Sequence, residues 1–293
     1  TMSGGHRSVL LDEAIDALAI KPDGIYIDGT FGRGGHSRAI LERLGDKGRL
    51  IAIDRDLAAV QYAQENFKDV RFTIIHAPFS AIEKIAQQEK VFGTVDGVLL
   101  DLGVSSPQLD ESERGFSFQQ DGPLDMRMDT LQHLTAATWL GTAKETEIAN
   151  VFHEYGEERY ARRIAQAIVQ ARLTTPITNT TQLAEIIKKA HPRWEKHHHP
   201  ATRCFQAIRI FINRELQELP AGLAGAVKIL KIEGRLAVIS FHSLEDRIVK
   251  QFIQREAQGA DLPSYLPLSK DELNIKLRRI GKAIKPSDAE IAS

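Results

Sequence analysis

The segment Tyr26–Ser37 has the sequence YIDGTFGRGGHS, in which four glycines follow a short apolar run. The stretch GIYIDGTF predicts a strand ending near Asp28, and HSRAILERLG predicts a helix that closes at Gly45. Glycines between a strand and a helix let the backbone turn tightly and let a ligand approach the main chain. An ordinary strand-to-helix turn is the alternative explanation.

Strands and helices continue to alternate outward from this loop. GRLIAIDRD, VRFTIIHAPF and VDGVLLDLG predict three further strands, separated by the helical patterns LAAVQYAQENF and SAIEKIAQQEKVF. Strand character returns with EGRLAVISFHS, and the helical pattern LEDRIVKQFIQREA follows it. Strands rich in Ile, Val and Leu that alternate with helices predict an α/β fold with a parallel, doubly wound sheet.

The alternation stops in the middle of the chain. A Gly/Pro/Asp-rich loop, RGFSFQQDGPLDMRMD, precedes the helical patterns AATWLGTAKETEIANVFHEYG, EERYARRIAQAIVQAR and NTTQLAEIIKKAH. We therefore predict a discontinuous α/β domain, residues 1–104 and 215–293, that carries an inserted all-helical domain, residues 105–214.

The composition of the chain excludes several classes of protein. Its 293 residues are 42% hydrophobic and carry a formal charge of −1, and the apolar runs are too short to cross a bilayer. The single cysteine excludes an internal disulfide and a cysteine-based zinc site, which favours a reducing cytoplasm. Residues 151–214 hold eleven Lys/Arg against five Asp/Glu, a net of +6, whereas the remainder has 27 against 34, a net of −7. This basic segment predicts either a phosphate-facing surface or a solvated helical face.

The glycine loop does not match a phosphate-binding loop, because no Lys-Ser/Thr pair follows it, and it is not a regular G-x-G-x-x-G motif. Acidic and aromatic residues nevertheless follow the predicted strands in a set order. Asp54, nineteen residues beyond Gly35, suits both hydroxyls of a ribose; Phe79 suits an adenine; Asp101 ends the fourth strand. This order resembles that of S-adenosylmethionine-dependent methyltransferases, whose cofactor carries no phosphate and tolerates a looser loop.

The segment LLDLGVSSPQLD follows the fourth strand, where ligands of a doubly wound sheet bind. Asp101, Ser105 and Ser106 are candidate catalytic residues, because side-chain oxygens that accept N–H bonds favour the reactive form of an exocyclic amine. Asp101 serves either that amine or the methionine part of the cofactor. A polar turn is the alternative for Ser105–Gln108.

The segment SFHSLEDR lies at the same predicted edge of the sheet. His242 is a candidate to contact the target base or to shuttle its proton at neutral pH. A compatible alternative is that Ser243 caps the following helix, with Asp246 completing a capping-box-like pattern.

Several long motifs together resemble the ribosomal RNA small-subunit methyltransferase H family. They include HRSVLLDEAIDAL, YIDGTFGRGGHS, DGVLLDLGVSSPQLD, YGEERYARRIAQAI, HPATRCFQAIRIFIN and GRLAVISFHSLEDRIVK. The resemblance implies a Rossmann-like methyltransferase domain with an inserted helical substrate-recognition domain. It implies methyl transfer from S-adenosylmethionine to N4 of a cytidine, position 1402 in standard numbering, in the decoding region of 16S rRNA.

The family pattern also implies the binding residues and the setting. The residues implied to bind S-adenosylmethionine are Gly34, Gly35, His36, Asp54, Phe79, Asp101 and Gln108. The resemblance implies a cytoplasmic enzyme without a membrane segment and allows a homodimer. Family members usually continue into a final arginine- and serine-containing strand beyond the point where this sequence stops.

The insertion supplies the expected RNA contacts. We expect Lys196, Arg203 and Arg209 to meet RNA phosphates, Phe205 and Ile208 to be core residues, and residues 114–129 to form a rim around the target cytidine. No metal site is expected at the consecutive histidines 197–199, because they lack the spacing of ligands on one helix face. The rival hypotheses are a nicotinamide-dependent dehydrogenase, a non-catalytic nucleic-acid-binding protein and a DNA aminomethylase.

Overall fold

A five-stranded parallel sheet organises the part of the chain that the computed structural model describes, residues 11–258 except Glu195. Its strands are β1 (Ile25–Asp28), β2 (Arg49–Asp54), β3 (Phe72–His76), β4 (Val95–Asp101) and β5 (Leu230–Ile239). Their order is β3-β2-β1-β4-β5, with every neighbouring pair parallel. The predicted doubly wound α/β fold is confirmed.

Four predicted helices accompany these strands: α2 (Gly35–Arg43), α3 (Leu57–Asn66), α4 (Ile82–Gln88) and α12 (Ser243–Gln258). Two further helices were not predicted, α1 (Leu11–Leu18) ahead of β1 and α11 (Glu215–Ile229) ahead of β5. The three central strands, β1, β2 and β4, are almost continuously buried, as expected when helices cover both faces of a parallel sheet. The outer strands β3 and β5 are mostly half-buried. None of the helices within residues 11–258 is both long and apolar enough to span a lipid bilayer.

The middle of the chain is helical. It comprises α5 (Ser106–Asp110), α6 (Ala136–Thr142), α7 (Glu145–Gly156), α8 (Ala161–Thr174), α9 (Thr180–Ala190) and α10 (Thr202–Ile212). Internal contacts divide the chain into two compact units, residues 1–103 with 217–293 and residues 104–216. That the second unit recognises substrate stays a prediction.

Each unit has its own hydrophobic core. In the second unit Phe205 and Ile208 are buried, which confirms their prediction as core residues. The predicted rim loop, residues 114–129, is also tied to this core through the buried Asn213. The amide of Asn213 accepts a bond from the backbone N–H of Met128 and donates to the carbonyl of Met126, both at 2.8 Å.

Three predicted element boundaries were wrong. β3 ends at His76 and not near Phe79, because Pro78 has no N–H for a sheet ladder; Phe79 begins a short 3-10 helix instead. The helical pattern from Ala136 to Gly156 is two helices, α6 and α7, separated by the extended residues Ala143 and Lys144. β5 begins at Leu230, ahead of the predicted strand, across a register shift against β4. The family's final strand lies outside the described residues.

Candidate functional site

The sheet order brings three acidic strand ends to one edge. From β1 the chain adds β2 and β3 on one side of the sheet and then β4 and β5 on the other, so the strand order reverses between β1 and β4. In doubly wound sheets this switch point is where ligands bind, beyond the carboxyl ends of the strands. β1 ends at Asp28, β2 at Asp54 and β4 at Asp101. The predicted gathering of Asp54, Asp101 and the glycine loop at one edge follows from this topology.

The glycine loop is held by Asp54. One carboxylate oxygen of Asp54 accepts the backbone N–H of Gly32 at 2.8 Å, and the other accepts the N–H of Asp56 at 2.9 Å. Burial raises the pKa of Asp54 to about 6 against these two bonds, which lower it. Each oxygen keeps a second lone pair for a further donor, such as a ribose hydroxyl.

Gly34 gives this loop its close approach to the core. Its φ of +85° lies in the left-handed region, and a Cβ placed there would be 2.3 Å from Cζ of Phe67. The chain therefore turns from Gly34 directly into α2, whose first residues are Gly35 and His36. Only a residue without a side chain fits this turn unstrained.

Asp28 is a buried acid that our site prediction omitted. Its carboxylate accepts a bond from the hydroxyl of Ser37 at 2.6 Å and a longer one, 3.2 Å, from the N–H of Thr30. Burial raises the pKa of Asp28 to about 6, because two bonds only partly offset its desolvation. Its position at a strand end is the same signal that identified Asp54 and Asp101.

Asp101 and His36 form the polar centre of the site. The Nδ1 atom of His36 lies 3.6 Å from Oδ2 of Asp101, too far for a hydrogen bond. Burial raises the pKa of Asp101 to about 7, with the charges of Asp28 and Glu245 adding to the rise, and burial lowers the pKa of His36 to about 4. His36 is therefore neutral at neutral pH, and Asp101 is only partly ionised.

Two buried polar atoms in this centre, Oδ1 of Asp101 and Nε2 of His36, find no hydrogen-bond partner among the residues that the structure describes. Buried polar groups are usually paired, so unpaired ones at a strand-end crevice indicate a ligand that supplies the partners. Raised acid pKa values at the same place indicate that a positively charged ligand would also be favoured. S-adenosylmethionine has a positively charged sulfonium and an amino group, and both suit these unpaired polar atoms and acidic side chains.

The end of β5 adds a second group of side chains to the same unit. The imidazole of His242 accepts the N–H of Glu245 through Nδ1 at 3.4 Å, and its Nε2 lies 2.8 Å from a carboxylate oxygen of Glu245. Glu245 also accepts the N–H of Phe241 at 3.3 Å. Glu245 was absent from our site prediction, although it lies within the motif SFHSLEDR.

The residues at the start of α12 test the alternative that Ser243 caps this helix together with Asp246. The helix begins at Ser243, and the hydroxyl of Ser240 donates to Asp246 at 3.4 Å. His242 directly precedes the helix, so its bond to the N–H of Glu245 satisfies one of the backbone donors that a helix start leaves unpaired. A catalytic role for His242 stays a prediction.

The remaining predicted cofactor residues have visible local roles. The ring of Phe79 packs against α11 so closely that a Cβ at Gly222 would lie 2.2 Å from its Cδ2 atom. In the helical unit, the side chain of Gln108 accepts the N–H of Ser105 at 2.9 Å and thereby caps α5. The segment is thus a short helix and not the polar turn considered above. Contacts of Phe79 and Gln108 with a cofactor stay predictions.

The basic segment requires one correction. The guanidinium of Arg209 is paired with the carboxylate of Glu215 at 3.0 and 3.3 Å, and only 15% of its side chain is exposed. This pairing commits Arg209 to a contact within the helical unit and not to an RNA phosphate. Lys196 and Arg203, by contrast, have exposed side chains.

The fold and the site define this chain as a class I methyltransferase that uses S-adenosylmethionine. A family model described as the MraW methylase family matches residues 3–293, and the chain belongs to that family. The membership removes the dehydrogenase and the non-catalytic binding protein from the hypotheses above.

Similar proteins carry names that are consistent with this family. The chain is 60% identical over 287 residues to ribosomal RNA small subunit methyltransferase H of Legionella pneumophila (strain Corby), covering 98% of this chain and 93% of the relative. It is 58% identical over 290 residues to the protein of the same name from Alteromonas mediterranea, with the same coverage. A solved rRNA methylase from Streptococcus thermophilus is 17% identical, covers 45% of this chain and 78% of its own, and has a TM-score of 0.25, an overlap too slight to bear on function.

Proposed function

We propose that this protein methylates N4 of cytidine 1402 in 16S rRNA of the small ribosomal subunit, with S-adenosylmethionine as the methyl donor. The observation that carries the proposal is the half-buried, partly ionised carboxyl of Asp101 at the switch point of the sheet. One of its oxygens has no hydrogen-bond partner within the described part of the chain. The printed names of relatives 58–60% identical to this chain support an rRNA target. The cytosine and its N4 atom come from the family resemblance.

Residues of the glycine loop and its neighbours would hold the cofactor. Bound S-adenosylmethionine supplies an electrophilic methyl group on a sulfonium. Gly34 and Gly35 let it approach the backbone, Asp54 accepts its ribose hydroxyls, and His36 offers a neutral imidazole nitrogen. The negative charges of Asp28 and Asp101 complement its positive groups.

Asp101 has a second task toward the target amine. The N4 lone pair of cytosine is delocalised into the ring, so the amine is a weak nucleophile. A carboxylate that accepts one of its N–H bonds favours the tetrahedral form and aligns the nitrogen, and positioning of this kind contributes about 7–11 kcal/mol in favourable cases. Because only the ionised form of Asp101 accepts two bonds freely, we expect methyl transfer to increase as the pH rises through about 7.

Phe241 offers a surface for the target base. Phe241 is 56% exposed, and its ring lies close to Gly103, two residues beyond the end of β4; a Cβ at Gly103 would be 3.6 Å from the Cδ2 atom of the ring. Enzymes that modify a base usually take the nucleotide out of its base stack and pack it against an aromatic side chain. We assign that role to Phe241. Ser105, Ser106 and His242 stay predicted partners of the target amine.

The setting follows from the substrate. Small-subunit rRNA places the enzyme in the bacterial cytoplasm, and the basic surface with Lys196 and Arg203 would face RNA phosphates. A homodimer stays a prediction.

Transfer of labelled methyl groups to small-subunit rRNA tests the proposal. We expect incorporation into wild-type rRNA and none when cytidine 1402 is replaced by uridine, which has no amino group. Asp101→Asn should reduce incorporation at least a hundredfold, since it can no longer become a carboxylate. Asp23→Asn is the matched control, because Asp23 is exposed at the opposite end of β1. Equal labelling of the cytidine and uridine substrates would refute the assigned target.

A further inference from the structure

Trp194 is exposed over 61% of its surface, whereas Trp139 is buried in the core of the helical unit. Trp194 lies in the connection between α9 and α10, within the basic part of the chain. Single exposed apolar residues are common and need no explanation by themselves. Trp194 differs because its ring is fixed in position and lies in a basic stretch of the chain.

The ring is fixed by the end of α9. Its indole Nε1 donates to the carbonyl oxygen of Lys188 at 3.3 Å. Lys188 supplies one of the last four carbonyls of α9, which have no partner within a helix. The ammonium of the same residue lies 5.2 Å from the centroid of the ring, a cation–π distance. The indole is therefore held at one edge before any partner binds, which lowers the entropy cost of binding.

The surroundings of the ring are strongly basic. Between residues 188 and 203 the sequence has five Lys/Arg, at positions 188, 189, 193, 196 and 203, and a single acid, Glu195. Lys189, Arg193 and Lys196 are exposed near Trp194 along the chain. An exposed aromatic face among cations suits a partner with both negative charge and flat π surfaces.

We infer that Trp194 is a stacking platform for an unpaired RNA nucleotide, with the neighbouring cations bound to the flanking phosphates. An acidic protein would satisfy the charges but would not need the indole face, and a paired A-form helix keeps its bases inside its own stack. The inference rests on the proposed RNA substrate and adds to it a contact made by the helical unit.

Substitutions at Trp194 separate stacking from simple apolar contact. We expect Trp194→Leu to weaken binding of a small-subunit rRNA transcript about tenfold and Trp194→Phe to stay within about threefold of wild type. Affinity for S-adenosylmethionine should be unchanged in both. Leu173→Ala removes another exposed apolar side chain of the helical unit and should leave RNA affinity unchanged. Wild-type tryptophan fluorescence should be quenched by the transcript but not by a fully paired RNA duplex, and Trp194→Phe should abolish the quenching, because Trp139 is buried.

Each outcome bears on the inference. The inference is overturned if Trp194→Leu binds the naked transcript as tightly as wild type does. It is also overturned if the variant loses affinity only for assembled subunits, because that result would indicate a ribosomal protein as the partner. Quenching that persists in Trp194→Phe would overturn it as well. Methyl transfer by the wild-type enzyme is measured in the same samples. If the wild-type enzyme methylates rRNA but its Trp194 fluorescence is not quenched by the transcript, only this contact is refuted. If it does not methylate rRNA, the proposed function is refuted.

Discussion

The substitution Asp101→Asn should stabilise the protein while it impairs catalysis. The folded protein raises the pKa of this carboxyl from 3.8 to about 7, so folding disfavours its ionised form. Below about pH 4 the carboxyl is protonated in both the folded and the unfolded chain, so the stability of the fold is not reduced. That stability is lost as the pH rises through about 7, where the folded protein must also ionise the carboxyl. The shift of about three units corresponds to a cost of about 4 kcal/mol at pH 8 and about 2 kcal/mol at pH 5. Asparagine has nearly the same shape and avoids that cost.

Urea unfolding at pH 5 and pH 8 measures the effect. We expect the stability advantage of Asp101→Asn over wild type to grow by about 2 kcal/mol between these pH values. Asp23→Asn, which changes an exposed carboxyl, should show no such growth. An advantage that is the same at both pH values would refute the reasoning, because it would mean that Asp101 is ionised in the folded protein as easily as in the unfolded chain.

Calorimetry with S-adenosylmethionine on the same variant tests whether Asp101 binds the cofactor in addition to serving the target amine. If the carboxyl holds the methionine part of the cofactor, its affinity falls in Asp101→Asn, and wild-type affinity rises with pH through about 7. If the carboxyl serves only the target amine, cofactor affinity is retained and methyl transfer is lost. The second pattern would exclude Asp101 from cofactor binding.

Three further predictions follow from contacts near the site and in the helical unit. Gly34→Ala should cost about 3 kcal/mol of unfolding free energy, because it combines a positive φ with a clash against the half-buried ring of Phe67. Gly32→Ala, with the same sign of φ but open space, should cost about 1 kcal/mol, and equal losses in urea titrations would contradict the packing argument. Ser37→Ala removes a 2.6 Å bond to the buried acid at the end of β1 and should lower stability by about 1–3 kcal/mol, more at pH 8 than at pH 5; a loss independent of pH would count against it. Arg209→Gln leaves the buried carboxylate of Glu215 without its partner and should lower the free energy of unfolding by about 3–5 kcal/mol. Lys196→Gln should leave the thermal midpoint unchanged and weaken RNA binding in a salt-dependent way. The opposite pattern would mean that Arg209 binds RNA.

Some parts of the site were predictable because their signals are local. Apolar runs separated by helical periodicity identified all five strands found within residues 11–258, and strand ends located Asp54 and Asp101. The glycines of Tyr26–Ser37 indicated a close backbone approach, and the left-handed turn at Gly34 provides it. Boundaries failed at Phe79, where the apolar pattern continued past a proline that ends the strand.

The electrostatics of the site could not be predicted in this way. The charge of Glu245 acts on Asp101 across 144 positions of the chain, and no local pattern encodes that proximity. The pairing of Arg209 with Glu215 likewise changes a residue that looked free for RNA into an internal one. A side chain's partners depend on which elements pack together, and a sequence pattern gives its type but not its neighbours.

The sequence by itself therefore determined the parallel sheet, the glycine turn and the order of acids along it, because burial and backbone conformation follow periodicity and residue type within a few positions. Only the tertiary structure decided that Asp28, Asp101 and Glu245 share one desolvated edge with a neutral His36. Charge interactions fall off with distance in space and strengthen as water is excluded, and both quantities exist only once the chain has folded.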